Sequence, residues 1–350
     1  MEGLAIPTGS TPVEVGVIDT TARLSIPAWQ LLSPTPGLED ITLTAPTYSF
    51  FIKHPSGRTL LFDLGLRKDW WKLTPNTAHF LKTSGWRAEV TKNVSEILQD
   101  NGINLADIEA VIWSHHHFDH VGDVTTFPDS TKIIVGPAFK EHYLPAYPTN
   151  PKSTLLENQW ENRELYELAF DQGLNIGGFD AIDYFGDGSF YILDAPGHTH
   201  GHIAALARTT AGQDASANTF VLMGGDTCHF AGQLRPTKDL PLPLESHHIQ
   251  AHLATCPGAI IDRLRANSSH PLFEMPKEHT VDVEKAHASI HNLQAVDSMD
   301  NVLVMIAHDE SLLNEIPFYP AAINDWRQKG YGERVRWRFL DSLEHRYSSL

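Results

Sequence analysis

Two cysteines, Cys228 and Cys256, are all that the 350 residues contain. They make no Cys-x-x-Cys pattern, so a disulfide framework is not expected and a reducing compartment fits. Cationic side chains are scarce too: 26 Lys and Arg against 43 Asp and Glu leave a formal net charge of −17 at pH 7. Phosphate backbones and anionic lipid surfaces are held through a basic face, so neither nucleic acid nor a membrane is an expected partner. No apolar run approaches the length of a membrane span. Met1 to Pro7 has no basic stretch and no long apolar one, so no secretory signal is expected, and the expected location is cytoplasmic. Ser348-Ser349-Leu350 echoes a peroxisomal tail without its basic middle residue. Gly186-Asp187-Gly188 is followed by no helix start, which makes it a turn rather than a nucleotide loop.

What is present is a chain of ordinary apolar content, 41%, enough for a sizeable core in an α/β domain. We expect one domain over 1–350, with insertions near 64–90, 143–175 and 231–280. Short apolar runs mark strands at Val13–Ile18, Tyr48–Ile52, Thr59–Phe62, Ala110–Trp113, Thr131–Val135, Phe190–Leu193, Ile203–Ala207, Phe220–Met223 and Val302–Ile306. His54-Pro55-Ser56-Gly57 reads as a hairpin turn. Thr91–Gln99 and Val283–Val296 have the spacing of helices, the first stopped by Asn101-Gly102. The 64–90 segment reads as a loop rich in tryptophan (Trp70, Trp71, Trp86), and 143–175 as irregular, then helically spaced. Val335–Phe339 is expected to be a last strand.

The most informative stretch is His115-His116-His117-Phe118-Asp119-His120, directly after the run ending at Trp113. Imidazole and carboxylate are the nitrogen and oxygen ligands of zinc and its neighbours. The backbone cannot wrap tightly enough for all four groups to bind one ion. They can serve two adjacent ions, with His115 and His117 facing one and Asp119 and His120 the other. The same arrangement recurs: an apolar strand ends and a His or Asp follows, at His115, His198, Asp226 and His308. Strand ends along one sheet edge lie close in space, and ligands of α/β sheets gather there.

In this order, and with Asp63-Leu64-Gly65 ahead of them, these residues resemble the metallo-β-lactamase superfamily. The resemblance runs from Asp63 to His308. It implies an α/β (α+β) fold, the αββα sandwich of two mixed β-sheets with helices on the outer faces. It also implies a dinuclear zinc site: one ion on His115, His117 and His198, the second on Asp119, His120 and His308, with Asp226 bridging both. Asp63 would help to hold the metal loop.

Pro196-Gly197-His198-Thr199-His200-Gly201-His202 resembles the Pro-Gly-His-Thr-Pro-Gly-His of the lactonase-like and glyoxalase-like branches, with His200 in place of proline. The bridging position holds Asp226 and not the cysteine of the β-lactam-hydrolysing group, so antibiotic hydrolysis is not the expected activity. Cys228 reads as structural. His142, His202, His247 and His248 are further histidines without an assigned role.

Two metals about 3.5–4 Å apart can hold a bridging hydroxide and polarise a carbonyl. The expected reaction is therefore hydrolytic opening of a lactone or lactam ring in a small molecule, with Asp119 orienting the nucleophile. The alternative is a thioesterase acting on an acyl-carrier or glutathione thioester. RNA processing on the same fold fits poorly with the acidic charge, and oxygen chemistry on a bound iron is a further rival. A full ligand set argues against a mere binding scaffold. In the N-acyl homoserine lactonases a tyrosine stands three residues after the bridging aspartate. Here that position is His229, which we expect to point into the cleft, off the metals, as a donor to the carbonyl oxygen or the leaving atom.

Overall fold

A strand covered on both faces is written as an unbroken apolar run, and such runs build two sheets in this chain. The computed structural model describes residues 6–212, 217–246, 249–251, 259, 262–263, 266 and 268–343. Cys256, His247, His248 and the Ser348–Leu350 tail lie outside the described residues. The first sheet is formed by β1 (Glu14–Pro27), β2 (Thr42–Lys53), β3 (Thr59–Phe62), β4 (Arg87–Glu89), β5 (Ile108–Ile112), β6 (Lys132–Val135) and β7 (Leu165–Glu167), in the order β4-β1-β2-β3-β5-β6-β7. The second contains β8 (Leu174–Ile176), β9 (Phe179–Asp183), β10 (Phe190–Asp194), β11 (Ile203–Thr210), β12 (Thr219–Met223) and β13 (Val302–Met305), in the order β13-β12-β11-β10-β9-β8. Both are mixed: β3, β5, β6 and β7 pair in parallel, as do β12 and β13, while the other pairs are antiparallel.

The two-residue period of a strand sorts its side chains between two cores. Leu60 and Phe62 of β3, Ala110 and Ile112 of β5, and Phe190 and Ile192 of β10 meet between the sheets. Their neighbours face outwards. Leu61 and Val111 pack with Val94 and Leu98 of the helix Val94–Asp100. Tyr191 and Leu193 pack with Ile290, Leu293 and Val296 of the helix Val283–Asp297. Each of the larger aliphatic and phenyl side chains taken out of water contributes about 1.5–3 kcal/mol, so this alternation sets which sheet faces pack together and which lie under helices. The result is the αββα sandwich. Local signals start both helices. Asn93 and Glu96 form a capping box, and Asp282 accepts a hydrogen bond from the Lys285 N–H.

Three local expectations are corrected. The 64–90 segment is not only loop: Pro75–Thr83 is a helix, with Thr74 as its cap and proline in its first turn. Its Trp70 and Trp86 pack against a core cluster, whereas Trp71 is exposed. The helical spacing in 143–175 gives only a short turn at Glu157–Gln159, and the segment then adds β7 to the parallel edge. The tail is helical rather than a strand, at Tyr331–Val335 and Arg338–Leu343. Phe339, Leu340 and Leu343 are all buried, a spacing that one turn of helix places on one side and strand alternation does not.

Candidate metal centre

The C-terminal ends of β3, β5, β10, β12 and β13 meet at one edge of the sandwich. Each is followed by a residue expected at the site: Asp63, His115, His198, Asp226 and His308. Backbone bonds fix the loops between them. Ile203 N–H donates to Ser114 O at 2.9 Å, joining the two sheets behind the site, and Leu64 N–H donates to His120 O at 2.7 Å. His117 caps the one-turn helix Phe118–Val121, whose turn separates His117 from Asp119 and His120. Gly197 has φ +128° and lies so close to the helix Val283–Asp297 that an added Cβ would stand 2.1 Å from Ala286 N, so only glycine fits ahead of His198.

Ligand-type atoms converge in two groups. His115, His117, His198 and Asp226 form one, and Asp119, His120 and His308 the other; within each group the atoms lie within 4.8 Å of one another. Asp226 stands between them. Its Oδ1 is 3.2 Å from His120 Nε2, and its Oδ2 is 3.3 Å from His308 Nε2, 3.6 Å from His198 Nε2 and 3.7 Å from His115 Nε2. All the residues named at sequence level for the site are thus brought together, His229 included, whose Nε2 lies 3.3 Å from Asp226 Oδ2.

The outer ring nitrogens show what the inner ones are for. His198 Nδ1 donates to His279 O at 2.9 Å, and His308 Nδ1 to Pro46 O at 2.9 Å. His120 Nδ1 donates to Asp63 Oδ2 at 2.8 Å, and His115 Nδ1 meets Ser114 Oγ at 3.0 Å. A proton spent outwards leaves a lone pair on the inward Nε2, the arrangement that orients histidine ligands. Those inward atoms then face one another. His115 Nε2 is 2.9 Å and His198 Nε2 3.1 Å from His117 Nδ1, while the buried His120 Nε2 and Asp226 Oδ1 make no hydrogen bond. Lone pairs crowded in this way, with a carboxylate among them, suit divalent cations, so the donor set fits metal ions.

Electrostatics agree. Burial, then the neighbouring imidazoles, holds His115, His117 and His198 well below the usual histidine range, as neutral bases. For His120 and His308 burial is again the largest influence and acts downwards, but the carboxylates around them, Asp226 with Asp63 for the first and Asp226 with Asp119 for the second, together outweigh it and both are raised. Burial pushes the Asp226 carboxyl up; His120 and His308 overcome it and keep it well below its usual range.

Other histidines separate by position. His202 is fully buried behind Asp226. Its Nε2 accepts the Asp226 N–H at 2.9 Å and its Nδ1 donates to Ala195 O at 2.9 Å, so both nitrogens are engaged, and burial holds its pKa down to about 4. Gly225, with φ +51°, leaves room for that contact, since a Cβ there would lie 2.9 Å from His202 Nε2. His200 stacks on His142 at 3.6 Å outside the cluster. Cys228 is packed in the outer core with Leu222 and Leu234, and burial raises its thiol.

Above the cluster is a cavity of about 340 Å³. Its walls include Ile26, Leu31, Phe80, Trp86 and Phe118, and its polar groups include Asn76, Thr77, Thr154 and His279. Phe80 and Trp86 pack edge to face at 5.3 Å, and each ring is 6.5 Å from Phe118. His229, His198, Asp119 and His308 reach its floor. The sequence reading missed His279, whose carbonyl fixes His198, because a backbone acceptor leaves no mark on residue type. It also missed the Asn76, Thr77 and Thr154 lining.

The family model for the metallo-β-lactamase superfamily matches residues 44–206. A gamma-lactamase, FDB1 of Fusarium pseudograminearum, is 40% identical over 96% of this chain and 84% of its own length. The chain belongs to the metallo-β-lactamase superfamily. Cytochrome P450 monooxygenase mpaDE of Penicillium roqueforti is 42% identical over 97% of the chain, which spans only 38% of that protein's length. Among solved structures, an N-acyl homoserine lactone hydrolase with N-hexanoyl-L-homoserine at its catalytic metal centre superposes with TM-score 0.58 at 17% identity, covering 91% of this chain and 100% of that one. That likeness confirms the superfamily fold. Among the described residues no helix is long and apolar enough to cross a membrane.

Proposed function

We propose that this protein hydrolyses the ring of a small lactam or lactone in a metal-dependent reaction. The observation that carries the proposal is the pair of donor groups sharing Asp226 at the floor of a mostly apolar cavity of about 340 Å³, the size range of small-molecule sites. The 40% identity to a protein named as a gamma-lactamase favours the ring-opening reaction. In this reading His115, His117 and His198 would hold one zinc ion and Asp119, His120 and His308 a second, with Asp226 available to both. Such a metal pair supplies a water acidic enough to attack near neutral pH and a Lewis acid for the carbonyl.

The chain's own residues supply the rest. Phe80, Trp86 and Phe118 exclude water and receive the apolar part of the substrate. Asp119 orients the attacking water towards the carbonyl carbon. His229 donates a hydrogen bond to the carbonyl oxygen or to the leaving nitrogen or oxygen. It stands where the N-acyl homoserine lactonases carry tyrosine, so an acyl-homoserine lactone is not the substrate we favour. We place the protein in the cytoplasm as a single hydrolase domain over 1–350.

The test is turnover of the metal-loaded protein on lactams, lactones, acyl thioesters and phosphoesters in water enriched in heavy oxygen. The expected result is fastest turnover on a ring substrate, with solvent oxygen in the new carboxylate. Faster turnover of thioesters than of any ring would establish the thioesterase instead.

A further inference from the structure

The hairpin turn between β2 and β3 lies at the opposite edge of the sandwich from the metal centre, as does the turn that leads into β10. These two turns meet. His54 Nε2 lies 2.9 Å from Asp187 Oδ2, and His54 Nδ1 lies 2.7 Å from Ser56 Oγ. The Ser56 backbone N–H also donates to His54 Nδ1, at 3.1 Å. An N–H can only donate, so Nδ1 presents its lone pair and Nε2 carries the proton that goes to Asp187. The serine hydroxyl is thus hydrogen-bonded to a basic nitrogen whose ring is oriented by a carboxylate, and such a set is recognised by geometry and role rather than by sequence position.

The supports are built as well. Phe185 stacks on the His54 ring at 4.3 Å and 28°, which fixes its plane. Asp187 Oδ1 accepts the Ser189 N–H at 3.1 Å. Partial burial pushes the Asp187 carboxyl up, but its bonds from Ser189 and His54 prevail and hold it below the usual range, as an anion. Ser56 itself is exposed, and a Cβ built on Gly57 would meet nothing within 4 Å, so there is room beside the hydroxyl.

We propose that Ser56 is a second reactive site, an activated hydroxyl that accepts an acyl group from a small activated ester, with His54 as its base and Asp187 as the group that orients the base. Ser56 Oγ attacks the carbonyl carbon while its proton passes to His54 Nδ1. The carbonyl re-forms as the alkoxide or phenolate leaves, His54 returns the proton to solvent or to the leaving group, and the product is an O-acyl serine. The Ser56 and Gly57 N–H groups are both engaged, with His54 Nδ1 and His54 O, so neither stabilises an oxyanion. Both acylation and deacylation therefore go unassisted at the oxyanion, so the site takes acyl groups only from esters with a good leaving group, and slowly. It is independent of the metal centre and of the reaction assigned there.

The experiment is labelling of the metal-bearing full chain with 4-nitrophenyl acetate, followed by trypsin and mass analysis of the peptide His54–Arg58. We expect one acetyl group on Ser56, labelling slowed about 10²-fold by His54→Gln, and the same labelling after the metals are chelated. Ser56→Ala should lose the label and keep the ring-opening rate. An unlabelled peptide, equal labelling in His54→Gln, or loss of labelling on chelation would overturn the proposal.

Discussion

Asp63 Oδ2 accepts a 2.8 Å hydrogen bond from His120 Nδ1, which binds the end of β3 to the loop after β5. The same carboxylate accepts from the Ser114 N–H at 2.6 Å and from Ser114 Oγ at 2.7 Å. Its backbone φ of +60° is a conformation that asparagine tolerates well. Asp63→Asn should therefore keep the backbone conformation while removing the charge and one of the two acceptor oxygens that hold His120 and Ser114. We expect metal affinity at the second group to fall by about 10–100-fold. Competition with a graded set of chelators measures it; unchanged affinity would mean that Asp63 merely closes the loop.

Metal content tests the shared carboxylate. Protein purified without chelator should contain about two equivalents of zinc. Asp226→Ala should lower both the occupancy and the rate, because Asp226 reaches imidazoles of both groups. A ceiling of one equivalent after zinc loading would refute the dinuclear site.

His229 lies as near to Asp226 as His308 does, 3.3 Å, and its Nδ1 is buried without a hydrogen-bond partner. His229→Ala should retain both metals and slow turnover by about 10²-fold if the ring is a proton donor to the substrate. Elemental analysis beside the rate separates this from ligation: a lost equivalent would make His229 a ligand.

Much of this centre was legible in the sequence because strands covered on both sides leave unbroken apolar runs, and their last residues point at one edge. His115, His198, Asp226 and His308 each follow such a run. The order of the sheets and the crossing from Ser114 to Ile203 could not be read, since pairing between distant strands leaves no local period. The helix Pro75–Thr83 was hidden by tryptophans on either side, and β7, three residues long, is too short for alternation to register. Among the cavity walls, Asn76 and Thr154 gave no signal at all, since each is unremarkable until the fold places it beside the donor cluster.

Asp194, at the end of β10, offers a test by pH. Burial, then the nearby Asp180, raises its carboxyl to about 6, against the opposing pull of Lys285. An acid raised in the folded state costs no stability while protonated in both states, and the cost grows as pH rises through the folded value. Asp194→Asn should thus stabilise the fold at pH 8 by on the order of 1 kcal/mol after allowance for partial exposure, read as a higher melting temperature, with the gain shrinking towards pH 4. A gain of equal size at both pH values would show another cause.

Apart from Phe118, which lies among the donors in the loop after β5, the walls of the cavity come from other parts of the chain than its floor. Donor atoms sit beyond the strand ends at the edge of the sandwich, while Leu31, Asn76, Phe80, Trp86 and Thr154 belong to segments laid over that edge and Ile26 to the end of β1. Phe80 is 41% exposed, so its replacement leaves no hole in the sandwich. Substitutions along the overlying segments can accordingly reshape the cavity residue by residue while the donor cluster beneath keeps its geometry at every step.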